Sequence, residues 1–358
     1  MKPSPLLRWP GAVPGVGDAA GVAAFYTNPY VEQRELEAGR GFVDLSHWRV
    51  LRGAGRACPG ECLGAHHELP GAHHAREVLE CDAEGRIRGA LLRCAGSRED
   101  VFLSPPGGIH STMCPANYIA IGTTTQGAEH LRAAMHGRLG LSAVFWEDWW
   151  PDSDIVILLV EDIEVLARAG QAAGMSPVGL FAWDAHRAAA RRPDPFRAAR
   201  AGAGPTEIYG PGIAGSCASR EVSARGSGEG STRQLGGAGR SLACLYLEGP
   251  DAADLPEAGT PVLAERSDAV SAGGASGIAA VETETNQPEG VAVGLVLSAV
   301  RHWEEGPLAL ALIREPAALG AVRVGEFRCG VEPIPLPTRA PVVVTIRESG
   351  EKSVVGRD

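Results

Sequence analysis

The chain has few aromatic residues and no long apolar run. Phe, Trp and Tyr make up 5% of its 358 residues, so the core must consist mainly of Val, Leu, Ile and Ala. The longest strongly apolar runs, at 155–160 and 291–300, are well short of the roughly 20 residues that a membrane-spanning helix needs. The sequence therefore predicts a globular protein without a membrane partner.

The chain also lacks a leader-like start, a disulfide pattern and an excess of positive charge. No apolar stretch precedes the Gly- and Pro-rich N-terminal region, so no secretory signal is expected. Eight scattered cysteines are then expected to be free thiols in a reducing cytoplasm. A net charge of −10 argues against general binding to nucleic acid. A local basic patch is still conceivable around Arg187, Arg191, Arg192, Arg197 and Arg200.

Glycine and proline are abundant, with 47 and 26 residues, and they separate short predicted elements. We expect helices at 29–38, 126–139, 161–173 and 183–192, a hairpin at 78–92, and strands at 41–51, 155–160 and 178–181. Beyond residue 240, short strands separated by Gly and Pro turns are typical of a small β-barrel. They are expected at 242–247, 261–264, 278–281, 291–300, 308–313 and 342–346.

These patterns predict an α+β N-terminal part followed by an all-β C-terminal domain. The expected division is an irregular lead-in at 1–22, an α+β domain at 23–200 and a Gly/Ser-rich loop or linker at 201–240. A β-barrel at 241–340 and a terminal strand or tail at 341–358 complete the chain.

The most specific stretch is 297–314, where two strand-length apolar runs flank Glu305-Gly306-Pro307. It resembles the C-terminal barrel hairpin of the YgfZ family of folate-binding proteins, within the aminomethyltransferase (glycine-cleavage T-protein) superfamily. Other segments are similar to the same family, namely 30–34, 41–47, 82–87, 170–180, 205–207 and 259–263. The resemblance implies a folate-binding-like α+β region followed by a small barrel.

The same resemblance implies a function. A tetrahydrofolate-type ligand is expected in a central channel, and the protein is expected to assist iron–sulfur cluster assembly or repair in the cytoplasm. Iron–sulfur proteins or assembly factors are the implied partners. Arg187 and Glu207 are the implied polar contacts to the pterin or to the glutamate tail of the folate.

The family signature, Lys-Gly-Cys-Tyr-x-Gly-Gln-Glu followed by Arg, is only partly retained. The corresponding stretch, 215–221, keeps Cys217 and Glu221, and Arg225 follows. The resemblance implies that Cys217 is a reactive thiol at the rim of the folate site, with Arg225 as the cationic neighbour that favours its thiolate. The alternative is that Cys217 is an ordinary loop thiol.

Aminomethyl transfer is the enzymatic alternative, and it needs a carboxylate beside the folate. The transferases carry that group at the end of an Ile-Asp-Asp hairpin, whereas this chain has Ile87-Arg88-Gly89-Ala90 there. Arg187 is followed by Ala188-Ala189, where the family often has a pterin-binding Glu. A conventional transferase is therefore not expected, and a non-catalytic diverged paralogue is the third reading.

Two further groups of residues contain side chains of the types found in metal or catalytic sites. Cysteines and histidines concentrate at 58–74, but without Cys-x2-Cys spacing, so no metal ligands are predicted and metal binding there stays open. Asp44, Ser46 and His47 contain the residue types of a hydrolase triad. We reject a triad because adjacent residues on one strand point to opposite faces.

Overall fold

The computed structural model describes residues 3–53, 75–81, 86–94, 100–104, 114–135, 141–146, 153–209, 239–250, 254–264, 290–316, 319–335 and 342–345. Within these residues there are six α-helices, and none of them is long and apolar enough to cross a membrane. They are α1 (Pro29–Glu37), α2 (Thr125–Ala134), α3 (Ile163–Ala172), α4 (Leu180–Ala189), α5 (Pro195–Arg200) and α6 (Pro205–Tyr209).

The strands of the described residues form one two-stranded ribbon, two larger sheets and a barrel. In the N-terminal half they are β1 (Val13–Pro14), β2 (Ala23–Phe25), β3 (Gly41–Asp44), β4 (Arg49–Gly53), β5 (Ala75–Cys81), β6 (Ile87–Cys94), β7 (Asp100–Ser104), β8 (Cys114–Pro115), β9 (Ile119–Thr124), β10 (Leu141–Trp146), β11 (Ile155–Val160) and β12 (Ser176–Val178). In the C-terminal half they are β13 (Arg240–Glu248), β14 (Pro261–Ala264), β15 (Val291–His302), β16 (Gly306–Arg314), β17 (Ala321–Val324), β18 (Phe327–Pro333) and β19 (Val342–Thr345).

The first sheet has the strand order β10-β11-β9-β3-β12, and its three central strands are buried on both faces. All six residues of β11 are buried. Because successive side chains of a strand point to opposite faces, Ile157 packs with α1 and α4 while Leu158 packs with α2 and α3. Helix α4 thus packs against one face of the first sheet.

The second sheet has the order β19-β5-β6-β7-β4-β8. Strands β5 and β6 pair antiparallel, and β19 adds to the outer edge of β5 in the parallel direction. The backbone N–H of Ile87 at the start of β6 donates to the carbonyl of Ala203, 2.8 Å away. This bond ties the sheet to the segment between α5 and α6.

The C-terminal strands close into a barrel with the order β13-β16-β15-β14-β17-β18. Closure follows from β13, which pairs with β16 on one side and with β18 on the other. Residues of β13 and β16 alternate between two clusters. Ala243 and Leu245 belong to the barrel interior, whereas Leu242 and Cys244 pack outside it, against α4, α5 and α6.

The α+β class with a C-terminal barrel is confirmed. The predicted hairpin at 297–314 is confirmed as β15 and β16, and the strand at 155–160 as β11. The expected hairpin strands at 78–92 pair as β5 and β6, and the expected helices are present as α1, α2, α3 and α4.

Some details of the sequence prediction are wrong, and one lies outside the described residues. The strand expected at 41–51 is interrupted, because β3 ends at Asp44 and β4 begins at Arg49. The apolar run 178–181 is not one strand, because β12 ends at Val178 and α4 begins two residues later, after Gly179. Helix α6 lies in the segment expected to be a loop, with Pro205 at its first position, where proline fits a helix. The strand near 342–346 joins β5 rather than the barrel. The strand expected at 278–281 lies outside the described residues.

Glu32 connects three elements through its buried carboxylate. Oε1 accepts the backbone N–H of Tyr26, which follows β2, at 2.7 Å, and it also accepts the N–H of Thr27. Oε2 accepts the N–H of Gly179, directly before α4, at 2.8 Å. Charge-assisted bonds to backbone N–H groups are among the stronger hydrogen bonds in proteins. Glu32 therefore fixes β2, α1 and α4 relative to one another.

Helix α1 also holds the turn between β15 and β16. Gln33 accepts the N–H of Trp303 at 2.8 Å, and Glu37 accepts the indole N–H of the same residue at 2.7 Å. Nδ1 of His302 accepts the N–H of Glu305 at 3.2 Å, so Nε2 carries the ring proton and donates to Glu37 at 3.0 Å. The barrel is thereby anchored to the first sheet through one helix.

We expect Glu32→Gln to lower the free energy of unfolding by roughly 2 kcal/mol, because one buried N–H loses its acceptor. Chemical denaturation of the full-length protein measures this change. Glu35→Gln is the matched control on α1, since Glu35 pairs at 2.8 Å with Arg40, whose side chain is half exposed, and its loss should cost less than about 1 kcal/mol. Equal losses for the two variants would contradict the role of Glu32.

Candidate functional site

The sequence predicts five site residues, and the structure describes two of them. Cys217, Glu221 and Arg225 lie outside the described residues, so their roles stay predictions. Arg187 lies on α4 and Glu207 on α6, and both side chains are buried. The two helices contribute to the same apolar cluster, which also contains the outer face of the barrel.

Arg187 is a buried cation without an acidic partner among the described residues. Its Nη2 donates to the carbonyl of Pro193 at 2.9 Å, and its guanidinium lies 6.0 Å from the centre of the Trp183 ring. The residue is 6% exposed. A buried charge is costly unless it is paired, so this guanidinium is suited to an anionic or strongly polar ligand.

Arg191, one turn further, serves the fold instead. Its Nη2 donates to the hydroxyl of Tyr246 at 2.6 Å and to the carboxylates of Glu305 and Glu332 at 3.0 and 3.3 Å. Its backbone is left-handed, with φ +57, a conformation that costs a non-glycine residue energy. Arg191 therefore clamps the end of α4 to the barrel. Burial raises the pKa of the nearby Cys244 to about 12, so that thiol stays protonated.

The arginines of α5 are likewise paired. Arg197 donates to Asp184 at 2.6 Å and lies 3.8 Å from Asp194, and Arg200 pairs with Asp18. Together with Arg191, these pairs neutralise much of the cluster that the sequence indicated as a local basic patch. Arg187 differs from these three in having no carboxylate partner among the described residues.

Both carboxylate oxygens of Glu207 accept hydrogen bonds from other residues of the protein. Its carboxylate accepts two bonds from Arg240, at 2.8 and 3.1 Å, and a third from the N–H of Gly204 at 2.8 Å. Paired carboxylate–guanidinium bonds of this kind fix geometry strongly. Glu207 therefore joins α6 to the first residue of β13. Its predicted contact with a folate would require this pair to open or to share an oxygen.

His47 lies in the turn that follows β3, and its imidazole is buried and neutral. Burial lowers the pKa of His47 to about 4, although Asp194 and Asp18 act in the opposite direction. No residue that the structure describes forms a hydrogen bond with Nδ1. The ring meets that of Trp48 edge-on, with 6.1 Å between the centroids. His47 is thus a neutral polar group in aromatic surroundings.

Asp44 and Tyr26 are two further buried polar residues with unmatched atoms. The Oδ1 atom of Asp44 accepts the N–H of Ser46 at 2.8 Å, while Oδ2 has no hydrogen-bond partner within the described ranges. Burial raises the pKa of Asp44. The Tyr26 hydroxyl is likewise not bonded to any described residue, and burial together with Asp44 and Glu32 raises its pKa. Because Nδ1 of His47 bonds neither Asp44 nor Ser46, these residues do not form a hydrolase triad.

Arg187 and His47 are connected through one short segment of chain. Arg187 donates to Pro193, and the next residue, Asp194, acts electrostatically on His47. Trp183 and Trp48 pack in the same apolar cluster. We call this group the α4–α5 site; it consists of Trp183, Arg187, Pro193, Asp194, His47 and Trp48.

The α4–α5 site contains a cation, a neutral imidazole and two indole rings, which are suited to a flat, polar and partly anionic ligand. Among the residues that the structure describes, no cluster of three or more His, Cys, Asp or Glu side chains is arranged to hold a metal ion. The Cys- and His-rich segment at 58–74 lies outside those residues.

The sequence resemblance points to Arg187 and does not point to His47. The sequence predicts a strand through the Asp-x-Ser-His stretch, whereas β3 ends at Asp44 and a turn follows. The burial of His47 does not follow from the local sequence. Asp18 and Asp194, which act electrostatically on it, are distant in sequence.

The two large sheets and the closed barrel together define the fold of the glycine-cleavage aminomethyltransferases. A solved structure with this fold is aminomethyltransferase T of the glycine cleavage system from Bartonella henselae, with a TM-score of 0.58. The alignment covers 94% of this chain and 97% of that chain, at 14% sequence identity. No family model and no curated protein matches the sequence. At this identity the likeness shows the fold alone.

The neutral state of His47 predicts a pH dependence of stability. The unfolded histidine titrates near 6.5, above the folded value of about 4, so the unfolded chain binds more protons between these limits. Stability should therefore fall as the pH drops from 6.5 towards 4 and level off below. His47 contributes about 2 kcal/mol of this loss between pH 7 and pH 5.

His47→Gln tests this expectation, because glutamine is polar and does not titrate. Urea denaturation at pH 7 and pH 5 gives the free energy of unfolding of both proteins, and the variant should lose about 2 kcal/mol less than the parent on acidification. The raised pKa of Asp44 increases the free energy of unfolding on acidification, and this effect is the same in both proteins. Identical losses would show that His47 does not titrate in this way.

Proposed function

We propose that the protein binds a reduced folate of the tetrahydrofolate type at the α4–α5 site. The fold of the aminomethyltransferases over nearly the whole chain supports this proposal, as does the sequence resemblance to a folate-binding family. A folate combines a flat pterin ring with a glutamate tail that carries two carboxylates. Its chemistry therefore matches a site that has both indole rings and a cation.

The single observation on which the proposal rests most is the buried guanidinium of Arg187. Folding places this charge at 6% exposure without an acidic partner among the described residues. A carboxylate of the ligand would supply the missing countercharge through a charge-assisted hydrogen bond. The Trp183 ring beneath the guanidinium stabilises the cation further.

We further propose that folate binding serves iron–sulfur cluster assembly or repair in the cytoplasm, with Cys217 as the reactive thiol, rather than aminomethyl transfer. Strand β6 contains no acidic residue that could handle protons at the folate. The partners would be iron–sulfur proteins or assembly factors. A diverged paralogue that keeps the fold without the ligand is the competing reading, and direct binding measurements separate the two.

Arg187→Met should weaken tetrahydrofolate binding between about 10-fold and 100-fold, the range for losing a charge-assisted hydrogen bond. The variant should be as stable as the parent or more stable, because it removes a buried charge and keeps an apolar side chain of similar length. Isothermal titration with tetrahydrofolate and its 5-formyl derivative measures affinity, and thermal unfolding measures stability.

Arg168→Ala is the matched control, since Arg168 is an exposed arginine on α3 that pairs only with Glu164, 3.5 Å away. Its affinity for folate should be that of the parent. A destabilised Arg187→Met protein with full affinity would assign Arg187 to packing. Absence of binding by the folded parent protein would refute the proposed function.

Cys217→Ala should abolish complementation of a cell strain that is defective in iron–sulfur cluster assembly, because the thiolate is the proposed reactive group. Growth and the activity of an iron–sulfur enzyme in that strain are the measurements. Ser216→Ala, one residue away, should complement like the parent. Full rescue by Cys217→Ala would remove the cysteine from the mechanism and leave folate binding untouched.

A further inference from the structure

One buried nitrogen in the α4–α5 site is not hydrogen-bonded to the described part of the chain. It is Nδ1 of His47, a residue that is 6% exposed. Buried polar atoms are nearly always paired, and an unpaired one costs free energy comparable to a lost hydrogen bond. Because none of the described residues pairs with it, the nitrogen is available to a ligand.

The charges around His47 restrict the chemistry of that partner. The groups that act on the imidazole are Asp18, paired with Arg200, and Asp194, which lies beside Arg197. Burial outweighs both acids, so the ring is neutral at pH 7. A neutral imidazole offers one donor and one acceptor and no charge. Such a ring can pair with the donors and acceptors of an uncharged polar edge without needing a countercharge.

The apolar surroundings of His47 indicate a flat partner. The Trp48 ring stands edge-on to the imidazole, and Trp183 belongs to the same apolar cluster. Aromatic side chains favour planar heterocycles through stacking and edge-to-face contacts. An uncharged, nitrogen-rich aromatic edge meets both conditions.

We propose that Nδ1 of His47 hydrogen-bonds the nitrogen-rich edge of a pterin ring, while Arg187 binds the anionic end of the same ligand. This inference rests on the proposed folate function and assigns an orientation to the ligand. The pterin edge alternates N–H donors with nitrogen and oxygen acceptors, so it can pair with either tautomer of the imidazole. Arg187 donates to Pro193, and Asp194 acts electrostatically on His47.

Three probes divide the ligand into its parts: tetrahydrofolate, the head alone as 6-methyltetrahydropterin, and the tail alone as p-aminobenzoylglutamate. Titration of the full-length protein should show that His47→Gln weakens binding of tetrahydrofolate and of the head about tenfold, which is the loss of one hydrogen bond. Binding of the tail should be unchanged. Arg187→Met should show the reverse pattern, losing the tail and keeping the head.

His47→Asn is the variant that separates hydrogen bonding from packing. The amide atoms of asparagine are bonded to Cγ, as Nδ1 is, whereas those of glutamine lie one bond further out. Asparagine should therefore keep affinity for the head within about threefold, although it fills less space than glutamine. Equal losses for both variants would assign His47 to packing and overturn the inference.

A measurement without any substitution covers the case in which the variants fold poorly. In protein labelled with ¹⁵N-histidine, saturation with 6-methyltetrahydropterin should shift the Nδ1 resonance of His47. A resonance that stays in place while the head binds would show that water alone satisfies Nδ1, and the inference would fall while folate binding stands. A parent protein that binds none of the three probes would refute the proposed function itself.

Discussion

The carboxylate of Glu32 sets the position of α4, and the candidate site depends on that helix. It accepts backbone N–H groups on both sides of the contact, from Tyr26 after β2 and from Gly179 before α4. A Cβ atom at Gly179 would lie 2.1 Å from the carbonyl oxygen of Ala24, so only glycine permits this approach. From this fixed start, α4 brings Arg187 to Pro193, next to Asp194, which acts electrostatically on His47.

The same helix that carries Glu32 holds the barrel. On α1, Gln33 and Glu37 bind the turn between β15 and β16, and Glu305 of that turn also pairs with Arg191 at the end of α4. Helix α1 thus contacts the turn between β15 and β16, and the same turn contacts the end of α4, so polar contacts link α1, the barrel and α4. Among the described residues, the neighbouring Arg191, Arg197 and Arg200 pair with carboxylates, whereas Arg187 does not.

The sequence was informative where the structural signal is local. The strand β11 and the turn between β15 and β16 can be predicted from short stretches of sequence, because a strand buried on both faces is a continuous apolar run and Glu-Gly-Pro is typical of a turn. The sequence prediction failed where the interacting residues are distant in sequence. The sequence of β19 does not show that this strand pairs with β5, and the sequence of α6 does not show that Glu207 pairs with Arg240. The neutral state of His47 follows from its burial in the folded protein. The expected role of Arg187 comes from the family resemblance and stays a prediction.

Strand β19 has a consequence for the order in which the protein is made. Because Val78 of β5 pairs with Val342, the second sheet is complete only after residue 342 has been synthesised. Until then the outer edge of β5 offers unpaired backbone groups to any other extended chain. The nascent protein therefore passes through a period of exposure to aggregation that ends with one short parallel strand, and truncation before that strand would make the exposure permanent.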